Sequence, residues 1–188
     1  MLHKAIVIGA SAGGLSALKT ILTSLDENFK LPILIVQHIS PHSDNYITIH
    51  LDSLSKLHVK EADEKEKIQG GVVYFSPPNF HMLIEDDQTI SFSVEDKVSY
   101  ARPSIDVLFE SAAYVYGNKL IGIILTGANN DGSKGLLRIK EFGGLTIVQD
   151  PETAEVSTMP ESAIKLFQPD HILSLQNIAH FLNKLNKE

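Results

Sequence analysis

The fold of this chain is decided by one stretch near its beginning, Ala5-Ile6-Val7-Ile8-Gly9-Ala10-Ser11-Ala12-Gly13-Gly14. The run at 5–9 is continuously apolar or small, which predicts a buried strand. The small residues that follow predict a tight turn. The next apolar positions have helical spacing, and they are Leu15, Leu18, Ile21, Leu22 and Leu25. The stretch therefore predicts a strand, a turn and a helix in direct succession.

The same alternation of short apolar runs and helical patterns continues along the chain. Further strands are predicted at 33–37, 72–75, 82–84, 89–92, 120–125 and 145–148, with a hairpin turn at 85–88. Helices are predicted from Pro103, at the first helical position, to Tyr114, and from Ser133 to Phe142. The charged segment 60–67 is expected to be a solvated edge or loop. Apolar strands separated by helices predict one α/β domain over 1–188, with a parallel sheet covered on both faces.

Composition excludes several classes of function. The 188 residues carry a formal net charge of −7 and no cluster of Lys and Arg, which argues against binding of nucleic acid or anionic membranes. Cysteine is absent, which excludes disulfides, thiolate chemistry and iron–sulfur clusters. The first apolar run is too short for a signal peptide, and no run approaches the roughly 20 residues of a membrane span. A cytoplasmic protein is expected.

The first turn has the pattern Gly9-x-Ser11-x-Gly13, which is typical of a nucleophile elbow between a strand and a helix. Small neighbours leave the Ser11 hydroxyl uncovered, and the amides that begin the next helix favour negative charge there. The alternative is that Ser11 only caps this helix, which serine does well. The turn by itself leaves both interpretations open.

Two further strand ends supply the partners that a serine nucleophile needs. His38 ends the second strand, with His42 in reserve, and Asp131 follows the strand at 120–125. Asp131 alone is equally consistent with capping the next helix. Because sites in open parallel sheets form beyond the carboxyl ends of the strands, hydroxyl, imidazole and carboxylate are expected together, as acyl transfer requires. The order Ser, His, Asp differs from that of the α/β-hydrolases.

The sequence also argues against two other kinds of site, for a dinucleotide and for a metal ion. A dinucleotide fingerprint needs glycine where Ser11 stands and an acidic residue where the second strand ends in Gln37-His38. A metal site on a helix is disfavoured because Pro41 separates His38 from His42, and no His-Glu-x-x-His motif is present. No cofactor and no metal are expected.

Several segments in order along the chain carry a resemblance to one known family. They are Ile8-Gly9-Ala10-Ser11-Ala12-Gly13-Gly14, Val36-Gln37-His38, Tyr74-x-x-Pro77-Pro78, Arg102-Pro103-Ser104-Ile105-Asp106-Val107-Leu108-Phe109, Leu125-Thr126-Gly127-x-x-x-Asp131-Gly132 and Met159-Pro160-x-x-Ala163. Together they resemble the catalytic domain of the chemotaxis receptor methylesterases, the CheB family. The resemblance covers essentially the whole chain.

The resemblance implies a doubly wound parallel sheet and a Ser11–His38–Asp131 triad. It further implies hydrolysis of glutamate methyl esters on the cytoplasmic helices of chemoreceptors, with release of methanol, and deamidation of selected glutamines. The family usually has threonine at the position of Ala12, and Met-Gly at the positions of Ala128-Asn129.

The expected oxyanion donors are the backbone amides of Ala12 and Ala128. Arg102 and Met159 are expected on the substrate rim, although Arg102 is equally consistent with a surface ion pair. Family members commonly carry an N-terminal receiver domain, and none is expected within this chain, which starts at the catalytic strand. Two other functions remain open: a catalytically silent module that binds receptors, and a related esterase acting on another protein.

Overall fold

A seven-stranded parallel sheet forms the centre of the molecule in a computed structural model that describes residues 3–38 and 46–187. From edge to edge its strands are β3 (His58–Glu61), β4 (Val72–Phe75), β2 (Ile33–Gln37), β1 (Ala5–Ala10), β7 (Leu120–Ile124), β8 (Leu145–Gln149) and β9 (His171–Leu173). A separate antiparallel hairpin joins β5 (His81–Ile84) to β6 (Ile90–Ser93). The predicted α/β class, parallel sheet and hairpin are confirmed.

Helices cover both faces of this sheet. They are α1 (Gly14–Ser24), α2 (Tyr46–Leu54), α3 (Ile105–Tyr116), α4 (Ser133–Glu141), α5 (Thr158–Leu166) and α6 (Leu175–Leu185). Alternate side chains of β1 enter opposite cores: Ile6 and Ile8 pack in the core that contains α1 and α6, whereas Val7 packs in the core that contains α3 and α4. Because β1 is buried on both faces, its sequence is apolar without alternation.

The order of the strands creates a crevice at one point. From β1 the chain proceeds to β2 on one side of the sheet, and it later returns to place β7 on the other side of β1. Connections that leave neighbouring strands in opposite directions open a crevice beyond their carboxyl ends. The turns after β1, β2 and β7 therefore share one edge of the sheet.

The local predictions differ from the structure at three places. Helix α3 begins at Ile105, after the N-cap Ser104, so the placement of Pro103 at the first helical position is wrong. Leu15 is 36% exposed, because the buried face of α1 instead includes Ala17. Helix α2 has no counterpart among the predicted helices; among its residues only Thr48 and Leu51 are buried, which gives too weak an apolar period.

The charged segment 60–67 begins in the edge strand β3 and continues into a loop, as expected. There the Lys60 ammonium group lies 2.8 Å from carboxylate oxygens of both Asp63 and Glu66. Among residues 3–38 and 46–187, no helix is both long enough and apolar enough to cross a membrane.

Candidate active site

The turns after β1, β2 and β7 are joined by backbone hydrogen bonds. The N–H of Ser11 donates to the carbonyl of Thr126 at 3.0 Å, and the N–H of His38 donates to that of Ala10 at 3.0 Å. Beside them lies a cleft of about 360 Å³, a volume in the range of small-ligand sites. Its lining includes Ser11, His38, Lys97, Tyr100, Arg102 and Asn129.

Ser11 does not cap the helix that follows it. The N-cap of α1 is Gly13, whose φ of 77° is left-handed, and no side chain completes that cap. The backbone of Ser11 is fixed, since its carbonyl accepts from the N–H of Gly14 at 2.8 Å and from Nε2 of Gln37 at 2.9 Å. Within the described part of the chain its hydroxyl makes no hydrogen bond. The capping alternative is therefore wrong, and the hydroxyl is available to a substrate.

His38 and Asp131 are in direct contact, as the strand-end argument predicts. Nε2 of His38 lies 2.8 Å from Oδ2 of Asp131, and the two side chains are 13% and 0% exposed. A carboxylate only accepts hydrogen bonds, so this contact places a proton on Nε2. The lone pair of the neutral ring is then on Nδ1. His42, the reserve candidate, lies outside the described residues.

The carboxylate of Asp131 is held by the N-terminus of α3. It accepts from the Ser104 hydroxyl at 2.8 Å, from the N–H of Ile105 at 2.7 Å and from the N–H of Asp106 at 3.1 Å. These amides have no partner inside their own helix, and the helix dipole favours an anion at this end. The N-cap of α4 is Gly132, with no side-chain hydrogen bond, so the alternative that Asp131 caps α4 is wrong.

The pKa values of two buried carboxyl groups at this helix end are shifted in opposite directions. Burial raises the pKa of Asp131, but hydrogen bonds from His38, Ile105 and Asp106 outweigh it, and the pKa lies below its usual value. Burial raises the pKa of Asp106 to about 6, against a hydrogen bond from Gly135 and with added repulsion from Asp131. Asp131 is therefore the anion that faces His38, whereas burial and the charge of Asp131 disfavour the ionised form of Asp106.

The floor of the site is tied together by Thr126. Its hydroxyl donates to the carbonyl of Ala12 at 2.8 Å and accepts from the N–H of Val156 at 2.9 Å. At the next position, a Cβ on Gly127 would lie 2.5 Å from Cε of Met159 and 2.9 Å from Cβ of Ser11. The turn after β7 thus packs closely under Ser11.

The other predicted residues lie in different surroundings. Met159 is fully buried against Gly127, so its expected position on the rim is wrong. Arg102 lines the cleft, but its guanidinium donates to the carbonyls of Val94 at 2.7 Å and Glu95 at 3.0 Å, and it forms no ion pair with any described residue. The expected oxyanion donors, the N–H groups of Ala12 and Ala128, have no acceptor among residues 3–38 and 46–187.

Sequence reasoning misses three residues that contact the site. Ser104 and Thr126 stand inside the quoted motifs, but their partners are remote in sequence and no local period signals them. Asn129 stands out in the sequence only as a departure from the family pattern, and its amide lies against His38. In the described ranges, no group of three or more His, Asp or Glu side chains is placed to hold a metal ion.

Comparisons with known proteins agree over the whole chain. The model of the CheB methylesterase family matches residues 6–182. A putative protein-glutamate methylesterase/protein-glutamine glutaminase of Leptospira interrogans is 54% identical over 187 residues, covering 100% of this chain and 97% of that protein. The protein-glutamate methylesterase/protein-glutamine glutaminase of Thermotoga maritima is 38% identical over 97% of this chain, which spans 54% of that protein.

A solved structure has the same fold. The crystal structure of the Thermotoga maritima CheB methylesterase catalytic domain matches with a TM-score of 0.93 and 37% sequence identity. The match covers 97% of this chain and 98% of that one. The doubly wound sheet implied by the sequence resemblance is therefore confirmed.

Proposed function

Because this chain belongs to the CheB methylesterase family, we propose that Ser11, His38 and Asp131 form the catalytic triad of a protein-glutamate methylesterase. The observation that carries the proposal is the 2.8 Å contact of Asp131 with His38, which lines the same cleft as Ser11, whose hydroxyl bonds to no described residue. This is the set of groups that acyl transfer requires, with the carboxylate in its ionised form.

The reaction proceeds through an acyl-enzyme. Nδ1 of His38 accepts the hydroxyl proton as Oγ of Ser11 attacks the ester carbonyl carbon, forming a tetrahedral oxyanion. The C–O bond to the methoxy group then breaks, and the proton passes from His38 to the departing methanol. Water next gives a proton to His38 while its oxygen attacks the acyl carbon. Release of Ser11, which regains that proton, leaves a glutamate side chain.

The oxyanion is stabilised by backbone amides. Ala12 and Ala128 provide N–H groups that have no acceptor among residues 3–38 and 46–187, and one such donor typically contributes about 3–4 kcal/mol to the transition state. Hydrolysis of a glutamine amide passes through an equivalent intermediate, with ammonia as the leaving group. The proposal therefore includes deamidation of substrate glutamines by the same three catalytic residues.

The substrates we propose are cytoplasmic helices of chemoreceptors, which places the enzyme in the cytoplasm. The cleft opens at the surface beside Lys97, Tyr100 and Arg102. Since the Arg102 guanidinium is bound to two backbone carbonyls, its role is to shape the wall that a substrate side chain meets. We propose residues 1–188 as one catalytic unit.

The proposal is tested with Ser11→Ala and the matched control Ser16→Ala, which removes an exposed hydroxyl from α1. Methanol release from methylated receptors of the source organism is expected to fall about 10⁴- to 10⁶-fold in Ser11→Ala and to be unchanged in the control. Stability is expected to stay within about 0.5 kcal/mol, because the Ser11 hydroxyl bonds to no described residue.

A fluorophosphonate probe gives a second readout, since it labels an activated serine covalently. Labelling at Ser11 is expected in the native protein only. Undiminished methanol release by Ser11→Ala contradicts the proposal. Receptor binding without labelling or turnover would instead support the silent binding module.

A further inference from the structure

The amide side chain of Asn129 bridges two parts of the site. Its Oδ1 accepts from the backbone N–H of Asp131 at 3.1 Å, and its Nδ2 lies 3.3 Å from Nδ1 of His38. Asn129 lines the cleft and is half-buried. Its contact with His38 joins residues 91 positions apart.

The direction of each hydrogen bond in this chain of contacts is fixed. A backbone N–H can only donate, so the atom of Asn129 that faces Asp131 must be the amide oxygen. The NH₂ group therefore faces His38 and donates, and Nδ1 must carry a lone pair. This assignment agrees with the contact at Nε2, where the ionised carboxylate of Asp131 accepts a hydrogen bond and so requires a proton.

The amide of Asn129 thus donates to Nδ1 of His38, the nitrogen that must accept the proton of Ser11. Nε2 is bound to Asp131, so the proton of Ser11 has only the Nδ1 lone pair to go to. In this structure that lone pair accepts from Asn129, and no hydrogen bond joins the hydroxyl of Ser11 to any described residue. An unprotonated imidazole nitrogen has a single in-plane lone pair, so the two donors compete for it.

We propose that Asn129 acts through His38: its amide occupies the Nδ1 lone pair and must release it before Ser11 can transfer its proton. The proposal rests on the triad proposed above. The charge-assisted contact with Asp131 already orients the ring, so the neutral 3.3 Å bond adds little orientation. Its main effect is to lower the fraction of molecules in which Nδ1 is free. A net neutral hydrogen bond corresponds to a factor of about 3 to 10 in that fraction.

Two substitutions separate this role from a structural one. Asn129→Ala removes the competing donor, and we expect Ser11 to react about 3- to 10-fold faster. Asn129→Asp keeps the oxygen that accepts from the N–H of Asp131, but its carboxylate holds a proton on Nδ1. We expect the reaction to slow by more than about 10-fold. Asn130→Ala, at the neighbouring position, is the matched control and should not alter the rate.

The measurement is the second-order rate of Ser11 labelling by a fluorophosphonate, with hydrolysis of a small acetate ester beside it. Both readouts are independent of the physiological substrate. If Asn129 only holds the backbone of Asp131, Asn129→Ala will be slower and Asn129→Asp close to native, which overturns the proposal. Equal rates in all four proteins overturn it as well. Absence of labelling in the native protein contradicts the triad itself, so the two failures are distinguishable.

Nitrogen NMR of the His38 ring supplies a signature that packing alone does not produce. In the native protein we expect a protonated Nε2 and an unprotonated, hydrogen-bonded Nδ1. In Asn129→Ala the Nδ1 resonance should move toward that of a free lone pair, with Nε2 unchanged. A ring protonated at Nδ1 in the native protein would contradict the proposal.

Discussion

The oxygen atoms of Asp131 accept four hydrogen bonds, whereas the hydroxyl of Ser11, at the other end of the same site, makes none with the described residues. The carboxylate is fully buried against the start of α3, and the serine stands half-exposed on the turn after β1. The difference indicates that the fold fixes the carboxylate of Asp131, and that the hydroxyl of Ser11, the proposed nucleophile, is left for a substrate to engage. Removing the first should therefore affect both stability and activity, and removing the second only activity.

Asp131→Asn is the strongest challenge to this comparison. An amide accepts on one atom only, so two of the four donors around position 131 would face an N–H. We expect a loss of about 10⁴-fold in kcat, and a loss of about 1–3 kcal/mol in the free energy of unfolding. Ester hydrolysis and urea unfolding measure the two effects. Stability equal to that of Ser11→Ala would show that α3 does not depend on the carboxylate.

Asp106→Asn sharpens the comparison through pH. Because folding raises the pKa of this acid from 3.8 to about 6, its contribution to stability is present below pH 3.8 and is lost as the pH rises through about 6. Asp106→Asn has no carboxyl group to ionise at this position, so it does not lose this stability as the pH rises. We expect its stability relative to the native protein to increase by up to about 3 kcal/mol between about pH 4 and pH 8. Glu27→Gln, at an exposed acid, is the control.

Urea unfolding across that pH range measures the difference between the two proteins. Taking the difference removes the part of the Asp131 contribution that the two proteins share; the pKa of that group is lowered, so its stabilisation is lost as the pH falls. A difference in the free energy of unfolding that stays constant with pH would mean that folding does not raise the pKa of Asp106.

Ser104→Ala should have the smallest effect. Its hydroxyl donates to Asp131 and accepts weakly, at 3.5 Å, from the N–H of Val107. We expect a loss of about 1–2 kcal/mol in stability. The loss in kcat should be below about 10-fold, since Asp131 keeps its two backbone donors. Ser174→Ala, at the N-cap of α6, is matched and should lose stability alone. Equal kcat in both variants would show that the Ser104 hydroxyl does not contribute to activity.

Features that repeat locally are the ones that the sequence predicts. Strands β1, β2 and β7 are continuous apolar runs, and the rule that sites lie beyond strand ends is enough to bring Ser11, His38 and Asp131 together. Features that depend on distant partners are missed. Nothing within a local window indicates that Asn129 faces His38, because that contact forms only when the sheet does.

Errors of placement have the same physical origin. Met159 is expected on the rim, yet its side chain is buried in the space left by the missing side chain of Gly127. Pro103 suits a first helical position, but the helix begins after Ser104, whose hydroxyl donates to the distant Asp131. In each case a tertiary contact outweighs a local preference.

The crowding at Gly127 also restricts the evolutionary routes open to this site. A single substitution there would drive a new methyl group into Met159 and into the β-carbon of Ser11, so that the proposed nucleophile would be displaced. Shortening Met159 would relieve only part of this crowding, because a Cβ at position 127 would still lie 2.9 Å from Cβ of Ser11. Glycine is therefore required at position 127 for as long as position 11 carries a side chain.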